Sequence, residues 1–189
     1  MKAAQQGAEI GRTICAADEI AEAIERLAAM VARDYRRQPL LLLGVLKGAL
    51  CFTADLARTL GGRPDGPSEI IVDYILMERY GLLGTRGGPA HLGMDCSTPI
   101  SGANVLVVDD IVDQGRTMAF LQGFLADRKP ASLRSCALFD RPARRDVDVR
   151  LDYVGIAIPN VFAIGYGLDH KELYRNLPYV AELREGRTV

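Results

Sequence analysis

Residues Val105 to Met118, VLVVDDIVDQGRTM, decide the fold. Val105 to Val108 are four consecutive apolar residues, the pattern of a strand buried on both faces. With Asn104 before them, the spacing predicts a strand over Asn104–Asp109. Two carboxylates, Asp109 and Asp110, come at its end. A short turn, Asp113-Gln114-Gly115, then leads into a helix predicted over Thr117–Leu125. Strand, acidic turn and helix in this order form one unit of a parallel α/β sheet. In such sheets ligands sit at the carboxyl ends of the strands, beside a switch in strand order.

Working outward, the same alternation recurs. Ile20, Ile24, Leu27, Met30 and Val31 fall at helical spacing, with Asp18 and Glu19 at the favourable N-terminal end. Pro39 follows the basic pair Arg36-Arg37, as past a helix stop. Leu40 to Val45 reads as a second buried strand. A helix through Phe52, Leu56 and Leu60 ends at Gly61-Gly62. Further strands are predicted at Glu69–Leu76, Ser132–Phe139, Asp152–Ile156, Phe162–Ile164 and Tyr179–Leu183. Between Met77 and Gly102 no periodicity is visible and glycines are frequent. A segment this long without structure is functional or disordered, and it is read here as a mobile loop. There is no internal repeat or linker, so the expectation is one domain over residues 1–189: an α/β fold with a mostly parallel central sheet flanked by helices.

Composition narrows the function. Among 189 residues, 49% are hydrophobic and 25% charged, and the net charge is −1. The molecule as a whole has no bias toward nucleic acid or anionic membrane, so a phosphate must be held by a local site. The apolar run before Lys47 is too short to span a bilayer. The first residues, MKAAQQGAEIGRTICAADE, lack the apolar core of a signal peptide. Cys15, Cys51, Cys96 and Cys136 form no C-x-x-C pair, and His91 and His170 are far apart. Reduced thiols, no zinc site and a cytoplasmic location follow as expectations.

The central stretch carries the chemistry. The start of a helix after a glycine-containing turn offers unpaired backbone N–H groups to an anion. Gly115 lets the backbone approach closely, and Thr117 adds a hydroxyl. Carboxylates beside such a cradle would repel a bare phosphate. They suit a ligand that also carries vicinal hydroxyls or brings a divalent cation, which points to a phosphorylated ribose. Two other readings stand beside it: a helix merely capped by surface aspartates, and an acidic Mg²⁺ pocket of the phospho-acceptor type. No G-x-x-x-x-G-K-[ST] motif is present.

The whole string resembles the phosphoribosyl-diphosphate motif of type I phosphoribosyltransferases. Three further stretches resemble the hypoxanthine-guanine branch: Leu46-Lys47-Gly48 after a strand, ALFDRPARR (Ala137–Arg145), and DYVGIAIPNVFAIGYGLDHKELYRNLPYV (Asp152–Val180). The resemblance runs from about Ile20 to Leu183. It implies the type I fold with a small hood from the chain ends, Mg²⁺ as cofactor, a homodimer or homotetramer, and salvage of a 6-oxopurine with 5-phosphoribosyl-1-diphosphate. It further implies site roles. Lys47 and Gly48 lie in a pyrophosphate loop whose Leu46–Lys47 bond can be cis. Asp109 and Asp110 hold ribose hydroxyls and, with Asp169, serve the metal. Asp113, Gln114, Gly115, Arg116 and Thr117 hold the 5′-phosphate, and Asp113 is the candidate base at purine N7. Arg141 stands where the family has a lysine that contacts the 6-oxo group. Phe162 stacks on the purine, the Ala163 backbone reads its edge, and Arg175 contacts pyrophosphate. Tyr80 belongs to the closing loop, preceded by Arg79 where the family usually has serine. Gln114 stands where it more often has Thr or Ser. A non-catalytic regulator with this fold that binds RNA is the alternative, and it calls for a basic face.

Overall fold

The structure, a computed structural model, describes residues 8–79 and 90–185. Strand β2 (Pro39–Leu46) shows how the sheet is built. Leu40 and Leu42 face one buried layer, and Leu41, Leu43 and Val45 face the other. This is the period-2 geometry of a strand covered on both sides. The neighbouring strand β5 (Asn104–Val112) divides in the same way, Leu106 and Val108 against Val105 and Val107.

Helix α1 (Ala17–Asp34) and helix α2 (Leu50–Gly61) cover the first face. Ile20, Ile24, Leu27 and Val31 join Phe52, Leu56 and Leu60 in one core. Glu19 accepts a hydrogen bond from the Ala16 N–H, 2.7 Å away, and so fastens the first turn of α1. Helix α3 (Arg116–Ala126) covers the other face through Met118, Leu121 and Leu125.

Among the described residues, six strands form the main sheet in the order β4-β3-β2-β5-β6-β7. These include β3 (Glu69–Arg79), β6 (Ser132–Asp140) and β7 (Tyr153–Ala157). All neighbours are parallel except β3 with β4 (Ala90–Met94). From β2 the chain goes to β3 on one side and then returns to lay β5, β6 and β7 on the other. The switch in strand order therefore falls between β2 and β5, and the ligand crevice is expected outside their carboxyl ends. A separate antiparallel sheet, order β1-β9-β8, joins β1 (Ala8–Cys15), β9 (Val180–Glu185) and β8 (Ala163–Ile164).

Three sequence expectations change. The segment 77–102 is not structureless throughout: β3 runs on to Arg79, and β4 pairs with it as Glu78↔His91 and Arg79↔Ala90. Its five residues include Gly93, where a Cβ would lie 2.8 Å from the Glu78 side chain, so composition hid a strand that close packing requires. Residues 80–89, with Tyr80, lie outside the described residues. Strand β5 extends three residues past Asp109, so the acid pair sits within the strand's end rather than after it. Strand β1 was not foreseen at all; its pairing with β9 creates it.

The turn that follows β4 is held by one carboxylate. Asp73 on β3 accepts from the Ser97 N–H (2.9 Å), the Ser97 hydroxyl (3.0 Å) and the Thr98 N–H (2.8 Å). Burial pushes this carboxyl up, but donors from Thr98, Tyr74 and Ser97 outweigh it and bring it down to about 2. A depressed carboxyl stabilises the fold above its unfolded value and loses that contribution as pH falls toward 2. Acid unfolding of Asp73→Asn should show a flatter stability profile between about pH 4 and 2 than the parent chain. Identical profiles would remove the turn's anchor from the explanation.

Candidate active site

The crevice at the switch point is a cavity of about 840 Å³. Its floor forms where β2 and β5 end. Leu46-Lys47-Gly48 leaves β2, and the Leu46–Lys47 peptide is cis. Beside it, Asp109 and Asp110 come off successive positions of β5 and so point to opposite faces of the strand, yet both border the cavity. Asp109 is buried. Burial pushes the Asp110 carboxyl up, against hydrogen bonds from Asp109 and the Ile111 N–H and the charge of Arg175. A Cβ on Gly48 would fall inside the Asp110 carboxylate, so glycine is what lets that side chain sit against the loop.

The turn that leads from β5 into α3 lies across the crevice. Gly115 is the N-cap of α3, with φ +85, a conformation that favours glycine. The close approach expected at Gly115 comes from the protein itself: a Cβ there would lie 2.5 Å from the Val147 carbonyl oxygen. The chain after β6 folds over this turn, with the N–H groups of Asp146 and Val147 both donating to the Gln114 carbonyl, at 3.1 and 3.0 Å. The first-turn N–H groups of α3 have no partner within the helix, and they open on the cavity wall formed by Gln114, Gly115 and Thr117. Arg116 points away, to Asp146 at 2.8 Å.

Asp113 does not cap the helix. It lies two residues before the N-cap, and its Oδ1 faces two guanidiniums: Arg141 Nε at 3.5 Å and Arg144 Nε at 3.6 Å. Burial pulls the Arg141 guanidinium below its usual range, which Asp113 opposes and Arg144 reinforces. Arg141 is buried, donates through Nη1 to the Val161 carbonyl at 2.5 Å, and does not border the cavity. Arg144 does border it, and sequence reading had not singled it out. The signal was the spacing. Pro142–Arg144 forms a 3₁₀ turn, in which residues three apart eclipse, so Arg141 and Arg144 meet the same carboxylate.

The far wall comes from Asp152–Val180. Phe162 is 48% exposed and borders the cavity, its ring edge-on to His170 at 5.5 Å. Its carbonyl accepts from the Leu183 N–H at 2.8 Å, and Ala163 pairs with Glu182, so the small sheet fixes the ring's position. The following stretch is wound in turns rather than a helix. Gly165, Tyr166, Gly167, Lys171, Glu172 and Tyr174 all have positive φ. A Cβ on Gly167 would overlap the Gly48 carbonyl, so this winding packs directly under the Lys47-Gly48 loop.

Arg175 closes that corner. It donates to the Gly167 carbonyl at 2.6 Å and to Asp169 Oδ1 at 2.9 Å, and lies 3.4 Å from Glu172. Lys47 Nζ reaches Glu172 at 3.1 Å, a partner the sequence did not reveal. Asp169 Oδ2 also accepts from the Glu172 N–H at 2.9 Å. Of the sequence-derived site residues, Lys47, Gly48, Asp109, Asp110, Asp113, Gln114, Gly115, Thr117, Phe162, Asp169 and Arg175 border one cavity, whereas Arg116, Arg141 and Ala163 stand behind its walls.

Comparison with known proteins agrees with this geometry. The model of the phosphoribosyl transferase domain matches residues 13–171. A hypoxanthine-guanine phosphoribosyltransferase of Streptococcus pneumoniae is 36% identical over 94% of this chain and 95% of its own length. The crystal structure of a hypoxanthine-guanine phosphoribosyltransferase from Bacillus anthracis superposes with a TM-score of 0.84 at 36% identity, covering 94% of this chain and 99% of that one. A Trypanosoma cruzi hypoxanthine phosphoribosyl transferase, studied for the role of its C-terminal region in oligomeric state and activity, gives 0.84 at 36% identity, covering 95% and 93%. The chain therefore belongs to the phosphoribosyltransferases and, within them, to the hypoxanthine-guanine family.

Proposed function

We propose that the protein joins a 6-oxopurine, hypoxanthine or guanine, to 5-phosphoribosyl-1-diphosphate in purine salvage, releasing pyrophosphate. One observation carries the reading. A single cavity brings together an acid pair, a helix N-terminus, a half-exposed aromatic ring and a pyrophosphate-loop lysine, the recognition elements of ribose hydroxyls, 5′-phosphate, base and leaving group. Purine N9 bonds to the anomeric carbon as the carbon–oxygen bond to pyrophosphate breaks, through an oxocarbenium-like state. Asp113 accepts the proton leaving N7. Asp109 and Asp110 orient the ribose hydroxyls, and the turn Asp113–Thr117 holds the 5′-phosphate. Lys47, the Gly48 backbone and Arg175 receive pyrophosphate, Phe162 stacks on the base, and the Ala163 backbone lies at its edge.

The residues present suit Mg²⁺. Asp109, Asp110 and Asp169 supply oxygen donors on one cavity. Among the described residues no group of three or more His, Cys, Asp or Glu side chains forms a self-sufficient metal cage. The reading is a cation held by one or two of these carboxylates together with substrate phosphates. Its chemistry is neutralisation of the departing pyrophosphate. The whole chain acts as one domain, in the cytoplasm, as a homodimer or homotetramer. No helix among the described residues is long and apolar enough to cross a membrane, and all four cysteines are free.

The test is product formation from each purine with Mg²⁺ and the phosphoribosyl donor. The inosine or guanosine monophosphate product should form far faster than the adenine product. Arginines offer donors only, which suit a 6-oxo acceptor and not a 6-amino group. Preference for adenine would overturn the assignment.

A further inference from the structure

Arg141 and Arg144 both approach Asp113, but they differ in what else they do. Arg141 has 8% of its side chain exposed, and its guanidinium spans two elements. Nε faces Asp113 Oδ1, and Nη1 donates to the Val161 carbonyl, the residue before Phe162. Its own N–H is bonded to the Val112 carbonyl, beside Asp113, at 3.1 Å. Neither Asp113 Oδ1 nor Arg141 Nε has a hydrogen-bond partner among the described residues, so each is the other's nearest compensation. A buried charge with these two contacts is costly to move. Arg144 has 43% of its side chain exposed, borders the cavity and, among the described residues, has no comparable backbone anchor for its guanidinium.

We propose that the two arginines divide the work on the purine side: Arg141 is a positioning residue that ties Asp113 to the backbone of the Phe162 loop, and Arg144 is the specificity residue that meets the 6-oxo group. This rests on the reading that a 6-oxopurine is the base. On a purine, O6 and N7 lie on the same edge, where one guanidinium spans both in other recognition settings. A guanidinium beside the carboxylate that takes the N7 proton is therefore within reach of O6. Arg144 can turn from Asp113 to O6 by giving up only its 3.6 Å contact with the Asp113 carboxylate. Arg141 can do so only by abandoning the Val161 carbonyl. Turning also removes one of the two cations facing Asp113 as the base arrives, which leaves its Oδ1 more open to the N7 proton.

Two sets of variants test this. Arg144→Gln should raise KM for hypoxanthine and guanine about ten- to a hundredfold, the loss of a hydrogen bond to a charged donor. It should erode discrimination against adenine and leave amide hydrogen exchange of the ligand-free protein unchanged. Arg141→Met should speed ligand-free exchange across Phe162–Ile164 about tenfold or more and lower kcat more than it raises KM. Arg141→Lys keeps the charge but cannot span both partners. It should show the same loosening in weaker form, and it serves if the methionine variant does not fold. The reverse pattern overturns the proposal: ligand-free exchange unaltered in Arg141→Lys and Arg141→Met with a collapsed KM for 6-oxopurines, or Arg144→Gln with parental KM and selectivity. If the parent protein forms no nucleotide from any purine, the functional reading falls, and the ligand-free exchange still decides the role of Arg141.

Discussion

Asp113→Asn lowers turnover by about two to four orders of magnitude, the usual worth of a positioned general base, while the phosphoribosyl donor binds nearly as before. Asparagine keeps the side chain's size but cannot accept the N7 proton. In the proposed reading the donor is held elsewhere, by Asp109, Asp110, the first turn of α3 and the Lys47-Gly48 loop, all of which border the same cavity. A purely structural role makes a different prediction. Asp113 faces two guanidiniums, one of them buried, so removing its charge costs some stability. Were that its whole function, the activity lost would match the fraction of unfolded protein, and activity would return on cooling. Capping cannot supply the effect, because the N-cap of α3 is Gly115. Turnover and melting temperature measured on one preparation decide the matter. Near-parental turnover in folded Asp113→Asn removes it from the chemistry.

Gly48→Ala weakens donor binding about ten- to a hundredfold with the fold intact. The added methyl meets the Asp110 carboxylate rather than backbone, so the side chain yields and the chain does not. Displacing Asp110 takes a charged acceptor from the ribose hydroxyls, an interaction of about 1.5–3 kcal/mol. The same substitution at Gly167 meets the Gly48 carbonyl and a φ of +96, and there the backbone itself must move. Comparing the two separates a site defect from a folding defect. Donor titration followed by calorimetry, beside circular dichroism, reads both. Unaltered affinity in Gly48→Ala would show that Asp110 is free to shift at no cost.

The layered α/β sheet was legible because its signals are local. Leu40–Val45 and Val105–Val108 are apolar on both faces, and the helix spacings of Ile20–Val31 and Phe52–Leu60 match the buried sets found except at Met30, which fits the spacing but is exposed. The acid pair and phosphate turn were legible too, since their residue types and order lie in one stretch, and the strand order then placed that stretch at the switch point. Strands β1 and β4 were not. Among its described side chains β1 buries only Cys15 fully, so it carries no strong periodicity and exists through its pairing with β9. β4 is five residues long and owes its register to β3.

The division between Arg141 and Arg144 shows the limit most clearly. By sequence, Arg141 occupies the position expected to read the base. Its burial, set by a carbonyl 20 residues away and a carboxylate on a different element, turns it inward. Likewise Gly48, Asp110 and Gly167 are distant in sequence, and their mutual exclusion of a Cβ exists only once β2, β5 and the 165–175 winding are packed. Sequence alone determined the helices, the buried parallel strands and the residue types gathered at their carboxyl ends, because hydrophobic period and residue type act within a few residues. That Arg141 is buried while Arg144 borders the cavity was decided by tertiary structure, because burial and steric contact are set by groups that the chain brings together from far apart.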